Sequence, residues 1–412
     1  MINVEPTIYR LNNGMRVSYL HDPSIVAHLG VTVLAGSRFE NENEEGLAHF
    51  LEHCIFKGTK KRRAFHVLSR LDSVGGELNA YTTKEEICIY GSFSNEHFAR
   101  TSELLADITF NSIFPEKEIE KEKEVIIDEI NAYLDSPGDK IFDDFEAYLY
   151  KGNPLGNNIL GTADSVRSFT REDLLNYVER FFYPENMVIS FVGDISAKKV
   201  INRLNKDFGG IAANGVKQHP VSPKRIQSFD LETKEANYQT HIMIGGKAPG
   251  YEDENRRVMT LLVNILGGPA LNSRLVLSIR EKYGYSYNIE ASYTTYQETG
   301  YWFVYAGTDP KYKKKIIQLI KKEIKKFINQ PLTESQLQKA KMQLKGHMAL
   351  SMDSNAGIML NFGKSLLVFD QIDTLQEIYE HIDQITSADI QELAKTYFNS
   401  ENLSTLVFNV KD

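Results

Sequence analysis

The residues of this chain that could do chemistry are concentrated between Gly46 and Gly58, where His49, Glu52 and His53 form the pattern H-x-x-E-H. No proline interrupts this stretch, and its apolar residues recur at helical spacing, so we predict a helix. On a helix the two histidines lie four residues apart on one face. Two imidazole nitrogens can then reach one metal ion at roughly 2.0–2.1 Å. Glu52 lies about 60° to one side of His49, and this inverted order is a motif of zinc peptidases.

The same motif has two other interpretations. It could be three unrelated polar residues on a half-buried helix, because such a pattern arises by chance in very roughly one or two per cent of chains with this many histidines. It could also hold a structural zinc ion, but Glu52 would then have no task. Cys54 follows the second histidine directly. On a helix it points about 100° away from His53, so we interpret it as a packing residue.

Length, composition and charge limit the class of protein. A chain of 412 residues is expected to form two domains, and 42% hydrophobic with 25% charged residues is typical of a soluble globular protein. The net charge of −8 argues against nucleic acid as a partner. No stretch has the pattern of a signal peptide or a membrane span. Two cysteines fit a reducing compartment, so we expect a cytoplasmic protein without a membrane partner.

The second half of the chain repeats the first. The matching positions are Thr170 with Thr386, Pro115 with Thr333, and Tyr81 with Tyr293. Three pairs of matching positions at one approximate spacing indicate two copies of one domain. We therefore predict an α+β fold with homologous domains at residues 1–211 and 229–412 and a linker at 212–228. Each domain is expected to be a mostly antiparallel mixed sheet with helices packed on one face. Only the first copy has H-x-x-E-H.

A charged helix predicted over residues 115–134 carries the candidate third ligand. Most of its acidic residues point outward, as is usual for such a run. Glu122 and Glu129 instead fall within its apolar stripe, seven residues and about 20° apart. A carboxylate on a core-facing stripe is costly unless it has a partner, and two neutral imidazoles leave a metal site in need of an anionic ligand. Glu129 is therefore a candidate ligand. The alternative is a structural glutamate in a salt bridge.

Together these residues resemble the pitrilysin/insulinase family of zinc metallopeptidases, in the short-chain branch that includes the mitochondrial processing peptidases. The resemblance covers essentially the whole chain. The further matching motifs are G-G-x-L-N-A-x-T at Gly75–Thr82, P-L-G-x-x-I-L-G-T at Pro154–Thr162 and R-E-K-x-G-x-x-Y at Arg280–Tyr287. Tyr283 and Tyr285 stand where the family more often has Arg and Leu, a difference that bears on specificity.

The resemblance implies a role for each residue near the metal. His49, His53 and Glu129 would bind one zinc ion per chain, which leaves a fourth coordination position open. Glu52 would act as the general base. Glu122 would hold a ligand histidine in place from behind.

The resemblance also implies how a peptide substrate is bound. Asn79 and Ala80 would lie on an edge strand, to which the substrate adds as an extra strand. Arg280 and Tyr287 would come from the second domain, and both can donate hydrogen bonds to a substrate carbonyl and its developing oxyanion.

These assignments imply a zinc metalloendopeptidase that hydrolyses peptides or unfolded segments inside a closed chamber formed by two chains. This chain carries both the zinc residues and the Arg–Tyr pair, so we expect a homodimer. One alternative is the catalytic subunit of a heterodimer. Another is a non-catalytic structural relative, like the family's respiratory-complex core subunits, but such proteins have lost the metal residues.

Overall fold

The computed structural model describes residues 5–215, 220–224 and 226–411. Its strands are β1 (Thr7–Arg10), β2 (Arg16–His21), β3 (Val26–Val33), β4 (Glu77–Thr82), β5 (Ile87–Ser94), β6 (Met187–Gly193), β7 (Asp230–Glu235), β8 (Thr240–Ala248), β9 (Ser286–Thr295), β10 (Gly300–Thr308) and β11 (Ser404–Val410). Its helices are α1 (Leu47–Cys54), α2 (Ala64–Asp72), α3 (Phe98–Asn111), α4 (Glu116–Leu134), α5 (Pro137–Leu149), α6 (Ala163–Ser168), α7 (Arg171–Phe181), α8 (Ala197–Phe208), α9 (Arg256–Gly267), α10 (Lys313–Asn329), α11 (Glu334–Ser351), α12 (Asn355–Phe369), α13 (Leu375–Gln384) and α14 (Ser387–Tyr397). The segment Val276–Glu281 is a π-helical turn.

Two mixed sheets follow the same plan. The first has the strand order β1-β2-β6-β3-β5-β4, and the second has the order β7-β11-β8-β10-β9. In each sheet one neighbouring pair is parallel, β2 with β6 and β7 with β11, and the other pairs are antiparallel. The second sheet therefore repeats the first without β1, which confirms the predicted α+β fold of two similar domains.

The predicted repeat also recurs in local structure. Thr170 and Thr386 each cap a helix, and in both cases the side chain three residues later completes a capping box. Tyr81 lies on the edge strand β4, and the matching residue of the second half, Tyr293, lies on the edge strand β9. Equivalent residues of the two halves thus occupy equivalent positions in the two sheets.

The chain divides into two compact units that exchange a helix. The first unit comprises the described residues within Met1–Ile130, Asn157–Val221 and Leu350–Leu375, and the second those within Asn131–Gly156, Ser222–Ala349 and Gln376–Asp412. Helix α12 thus belongs to the first unit although it follows the predicted linker, and α5 belongs to the second although it precedes it. The predicted boundary at 212–228 did not include this exchange of helices. Residues 216–219 and 225 of the predicted linker lie outside the described residues.

Alternation along the strands explains how both faces of each sheet are covered. In β6, Ile189 packs into the main helical core of the first unit, whereas Val188 and Val192 face the other way, towards α12. The second sheet has the same arrangement, with α5 packed on the face that carries Tyr301 and Phe303. The sequence predicted helices on one face. The structure adds one helix, supplied by the other half of the chain, on the opposite face.

Candidate metal centre and its surroundings

Helix α1 presents both histidines of the motif on one face. Its opposite face is buried in the core of the first unit through Leu47, Phe50, Leu51 and Cys54. The ring centroids of His49 and His53 are 4.7 Å apart. The His49 ring is buried, since this residue is only 8% exposed, whereas the His53 side chain is 24% exposed and remains partly accessible. The packing of the apolar face therefore fixes the direction in which both imidazoles point.

Glu129 of α4 lies opposite the two histidines, and its side chain is 44% exposed, so it does not lie on the core-facing stripe that the sequence predicted. Its Oε2 atom is 3.6 Å from Nε2 of His53 and 3.9 Å from Nε2 of His49. The ligand atoms of these three residues all lie within 4.8 Å of one another, and no other such group of three metal-binding side chains occurs in the described part of the chain. The structure thus brings together all three residues predicted to bind the metal.

This group fits zinc in its chemistry and nearly in its spacing. Two imidazoles and one carboxylate are a common protein donor set for catalytic zinc. With zinc–ligand distances of about 2.0–2.2 Å, tetrahedral geometry requires ligand atoms roughly 3.3–3.6 Å apart. The two histidine–glutamate distances lie at or just above this range. Small side-chain adjustments would therefore suffice to close the group around one ion.

The protonation of His49 also suits a metal ligand. Burial of its ring, helped by the positive charge that His53 can carry, lowers the pKa of His49 to about 4. The imidazole is then neutral at neutral pH, which is the form that binds metals. Its buried Nδ1 has no hydrogen-bond partner among the described residues. Nε2 of the same ring lies 3.9 Å from Oε2 of Glu129 and is the nitrogen placed to bind a metal.

Glu122 holds His53 from behind. Its Oε2 lies 3.3 Å from Nδ1 of His53, and its Oε1 lies 2.6 Å from Nζ of Lys57. Glu122 is only 7% exposed, so the ammonium group of Lys57 compensates a buried negative charge. An acceptor at Nδ1 favours the tautomer that presents Nε2 to a metal. Sequence analysis missed Lys57, although its position four residues after His53, close to one further helical turn, was a usable signal.

Glu52 lies on the same helix but outside the group of three. Its carboxyl is partly buried, and this burial raises its pKa; the negative charge of Glu129 acts in the same direction, whereas His53 opposes it. The position of Glu52 beside the histidines, with a pKa above its ordinary value, suits a group that accepts a proton from a nearby water.

Glu40 caps the N-terminus of α1, a contact that sequence analysis also missed. Gly46 precedes the helix with φ of 91° and offers no side-chain cap. The Glu40 carboxyl instead accepts the backbone N–H of Gly46 at 3.0 Å and that of Ala48 at 2.8 Å. Glu40 is 5% exposed, and burial raises its pKa to about 8. No local pattern marks this residue, because the capping group and the helix are separated by a loop.

Asn79 and Ala80 lie on β4, which ends the first sheet and pairs only with β5 among the described strands. Asn79 is paired with Tyr90, and Ala80 with Ile89. The outer edge of β4 can therefore accept an added strand. Binding of substrate by these two residues stays a prediction.

Arg280 and Tyr287 belong to the second unit, where they contact each other. The guanidinium carbon of Arg280 lies 4.9 Å from the centroid of the Tyr287 ring. Arg280 is on the π-helical turn, and Tyr287 is on the edge strand β9. Ser286 pairs with Thr308 and Asn288 with Gly307, so Tyr287 is the extra residue of a β-bulge. Tyr287 is 84% exposed.

These features define a protein built from two mixed-sheet units, one of which carries an inverted histidine–glutamate motif and a third acidic ligand. The family model described as Insulinase (Peptidase family M16) matches residues 16–163, and the model described as Peptidase M16 inactive domain matches residues 168–344. The chain belongs to this peptidase family, M16. The "inactive" label of the second match agrees with the absence of the motif from the second half.

Individual relatives agree with this assignment. The protein called uncharacterized zinc protease YmxG of Bacillus subtilis is 32% identical over 402 residues, which cover 97% of each chain. An uncharacterized zinc protease of Rickettsia felis is 32% identical over 401 residues, again covering 97% of both. A crystal structure titled peptidase M16 inactive domain from Pseudomonas fluorescens has the same fold, with a TM-score of 0.91, 17% identity, and coverage of 99% of this chain and 98% of that one. No helix in the described part of the chain is long and apolar enough to span a membrane.

Proposed function

We propose that this protein is a zinc-dependent endopeptidase that hydrolyses peptides or unfolded segments inside a closed chamber formed by two chains. The observation that carries the proposal is the convergence of His49, His53 and Glu129, with Glu52 beside them on α1. A structural zinc ion would need neither a base nor an open coordination position.

Each residue near the metal has a defined task in this proposal. His49, His53 and Glu129 hold one zinc ion per chain, which supplies Lewis-acid chemistry when bound. Glu52 takes a proton at its carboxylate from the water that attacks the peptide carbonyl, and then passes this proton to the leaving amine. Glu122 keeps His53 in its orientation and tautomer.

The remaining residues bind and orient the peptide. The open edge of β4, with Asn79 and Ala80, pairs with the backbone of an extended substrate. Arg280 and Tyr287 donate hydrogen bonds to the carbonyl oxygen as it gains negative charge. The exposure of the Tyr287 ring on its β-bulge supports this role, because such a donor must be reachable by substrate.

Glu52→Gln separates catalysis from metal binding. We expect the variant to retain one zinc ion per chain and its far-ultraviolet circular dichroism spectrum, and to lose cleavage of a random peptide library measured by mass spectrometry. Glu124→Gln, an exposed residue of α4, is the matched control and is expected to cleave normally. Cleavage by Glu52→Gln at the wild-type rate would contradict the assignment. The library products would also reveal the cleavage preference.

We further propose that the active form is a homodimer in which Arg280 and Tyr287 of one protomer serve the zinc site of the other. Mixing inactive Glu52→Gln with inactive Arg280→Ala tests this directly. If the residues act across chains, random exchange of protomers restores about one quarter of wild-type activity, because half of the dimers regain one of two sites. No recovery, despite proven exchange of protomers, would contradict action across chains. Activity that requires a different partner chain would indicate the heterodimer.

The non-catalytic alternative is supported by one observation, the "inactive domain" in the name of the structural neighbour from Pseudomonas fluorescens. The complete set of His49, Glu52, His53 and Glu129 favours the enzyme, because a purely structural relative has no use for these four side chains together. The cytoplasmic location stays a prediction, and the free state of both Cys54 and Cys88 supports it.

A further inference from the structure

Three tyrosines of the second unit form a continuous stack. The rings of Tyr283 and Tyr285 have centroids 5.1 Å apart and an interplanar angle of 10°. The rings of Tyr285 and Tyr312 are 4.4 Å apart at 23°. These are offset-stacked geometries, which aromatic pairs favour. We refer to Tyr283, Tyr285 and Tyr312 as the tyrosine ladder.

The ladder is anchored at one end and open at the other. Tyr285 and Tyr312 pack against the main core of the second unit, whereas the Tyr283 side chain is 40% exposed. Gly284, between the first two tyrosines, has φ of 63°, a conformation that glycine adopts without strain. The backbone oxygen of Tyr285 accepts a hydrogen bond from Thr308 at 2.6 Å. The outer ring is thus held by stacking on a fixed base.

The position of the ladder links it to the residues that the proposed function assigns to substrate. Tyr283 lies three residues after Arg280 and four before Tyr287. The strand β9, which begins at Ser286, is an edge strand, with β10 as its one neighbour among the described strands. A peptide that extended along β9 would therefore pass the ladder.

The chemistry of the ladder indicates what it binds. Rigid tyrosine rings contribute much contact area at a low cost in side-chain entropy, and they are enriched where proteins bind peptides and other proteins. Each end carries an exposed lysine, with Nζ of Lys282 5.2 Å from the Tyr283 centroid and Nζ of Lys311 4.8 Å from the Tyr312 centroid. At the open end an incoming ring can displace the Lys282 side chain, whereas Nζ of Lys311 is held 2.9 Å from Oδ2 of Asp309.

We propose that the tyrosine ladder is a specificity subsite that binds an aromatic side chain of a peptide lying along the edge of β9. Its description as a substrate subsite rests on the proposed function, but peptide binding itself does not.

The test measures binding rather than cleavage. Zinc-loaded Glu52→Gln protein is titrated with fluorescent peptides of one polar, unstructured sequence in which a single phenylalanine is moved from position to position. The parent peptide has alanine throughout those positions. We expect phenylalanine at one position to strengthen binding, and Tyr283→Ala to weaken that peptide about 3- to 10-fold while leaving the parent unchanged. Tyr283→Phe is expected to bind like the unsubstituted protein.

Tyr238, which is fully exposed elsewhere in the second unit, provides the matched control, and Tyr238→Ala is expected to have no effect. Equal affinity for all phenylalanine peptides and the parent, or equal weakening of both by Tyr283→Ala, would overturn the subsite. If the wild-type protein still cleaves peptides when the subsite is overturned, the proposed peptidase function is not contradicted. Phenylalanine-selective binding by a protein that cleaves nothing would support the subsite and contradict the peptidase.

Discussion

Replacement of Glu40 by glutamine is expected to change how the stability of the first unit depends on pH. In the folded protein, burial raises the pKa of Glu40 from an ordinary value of 4.5 to about 8. Between these values the folded state holds a proton that the unfolded state has released. The stability contributed by Glu40 is therefore fully present below pH 4.5 and is lost as the pH rises towards 8.

The structure sets the size of this effect. The difference between the two pKa values corresponds to a loss of at most about 5 kcal/mol over that range. Glutamine does not titrate, so Glu40→Gln removes this loss. Protonated Glu40 has a carbonyl and a hydroxyl oxygen that can each accept a hydrogen bond, whereas glutamine replaces the hydroxyl by an NH₂ group that can only donate. The N–H of Gly46 or Ala48 therefore loses its partner in the variant at a cost of about 1–3 kcal/mol. The variant should therefore be less stable than wild type near pH 5, and the difference should shrink or reverse near pH 8.

Urea unfolding of metal-free protein, followed by far-ultraviolet circular dichroism between pH 5 and 8, measures this dependence. Fluorescence would not serve, because the single tryptophan, Trp302, lies in the second unit. Glu42→Gln, an exposed carboxylate of the same loop, is the control and should parallel wild type. A difference in unfolding free energy between Glu40→Gln and wild type that stays constant within about 1 kcal/mol across this range would refute the reasoning.

Two further predictions concern the metal centre and the exchanged helix. Glu122→Gln is expected to weaken zinc binding about 10- to 100-fold in a chelator-competition titration, because the carboxylate behind His53 is lost; unchanged affinity would contradict its role. Gly363→Ala places a Cβ 2.7 Å from Oγ1 of Thr32, so the free energy of unfolding in urea should fall by about 1–3 kcal/mol. Gly346→Ala, where a Cβ meets open space, is the control, and equal stability of both variants would argue against close packing of α12.

The sequence carried most of the information about the candidate site. Local spacing placed His49, Glu52 and His53 on one helix, and the phase of α4 correctly predicted that Glu122 is buried. These inferences succeeded because helical periodicity is a local property. The same phase placed Glu129 on the core-facing stripe, and this was wrong, because the Glu129 side chain is 44% exposed. The contact of Lys57 with Glu122 was not predicted, because a lysine near a helix end is usually solvated. The capping role of Glu40 was not predicted, because this residue reaches α1 across a loop. No spacing rule relates a loop carboxylate to the helix that it caps.

The fold was predictable to the level of two repeated units, but the exchange of α5 and α12 was not. The apolar face of α5 is formed by Ile141, Phe145 and Leu149. Its hydrophobic pattern would be the same whichever of the two sheets the helix covered. Packing against Tyr301 and Phe303 decides its location, and that complementarity is not visible in hydrophobic periodicity. The bulge at Tyr287 was likewise not predictable, because it arises from the pairing of β9 with β10.

The central claim is that His49, His53 and Glu129 hold one zinc ion. Equilibrium dialysis with metal analysis tests it most directly, on wild type, Glu129→Gln and the exposed control Glu124→Gln. We expect one zinc ion per chain in wild type and in the control, and at least about 100-fold weaker binding in Glu129→Gln with an unchanged circular dichroism spectrum. Zinc binding by Glu129→Gln equal to that of wild type, or a wild-type protein that binds no zinc, would contradict it.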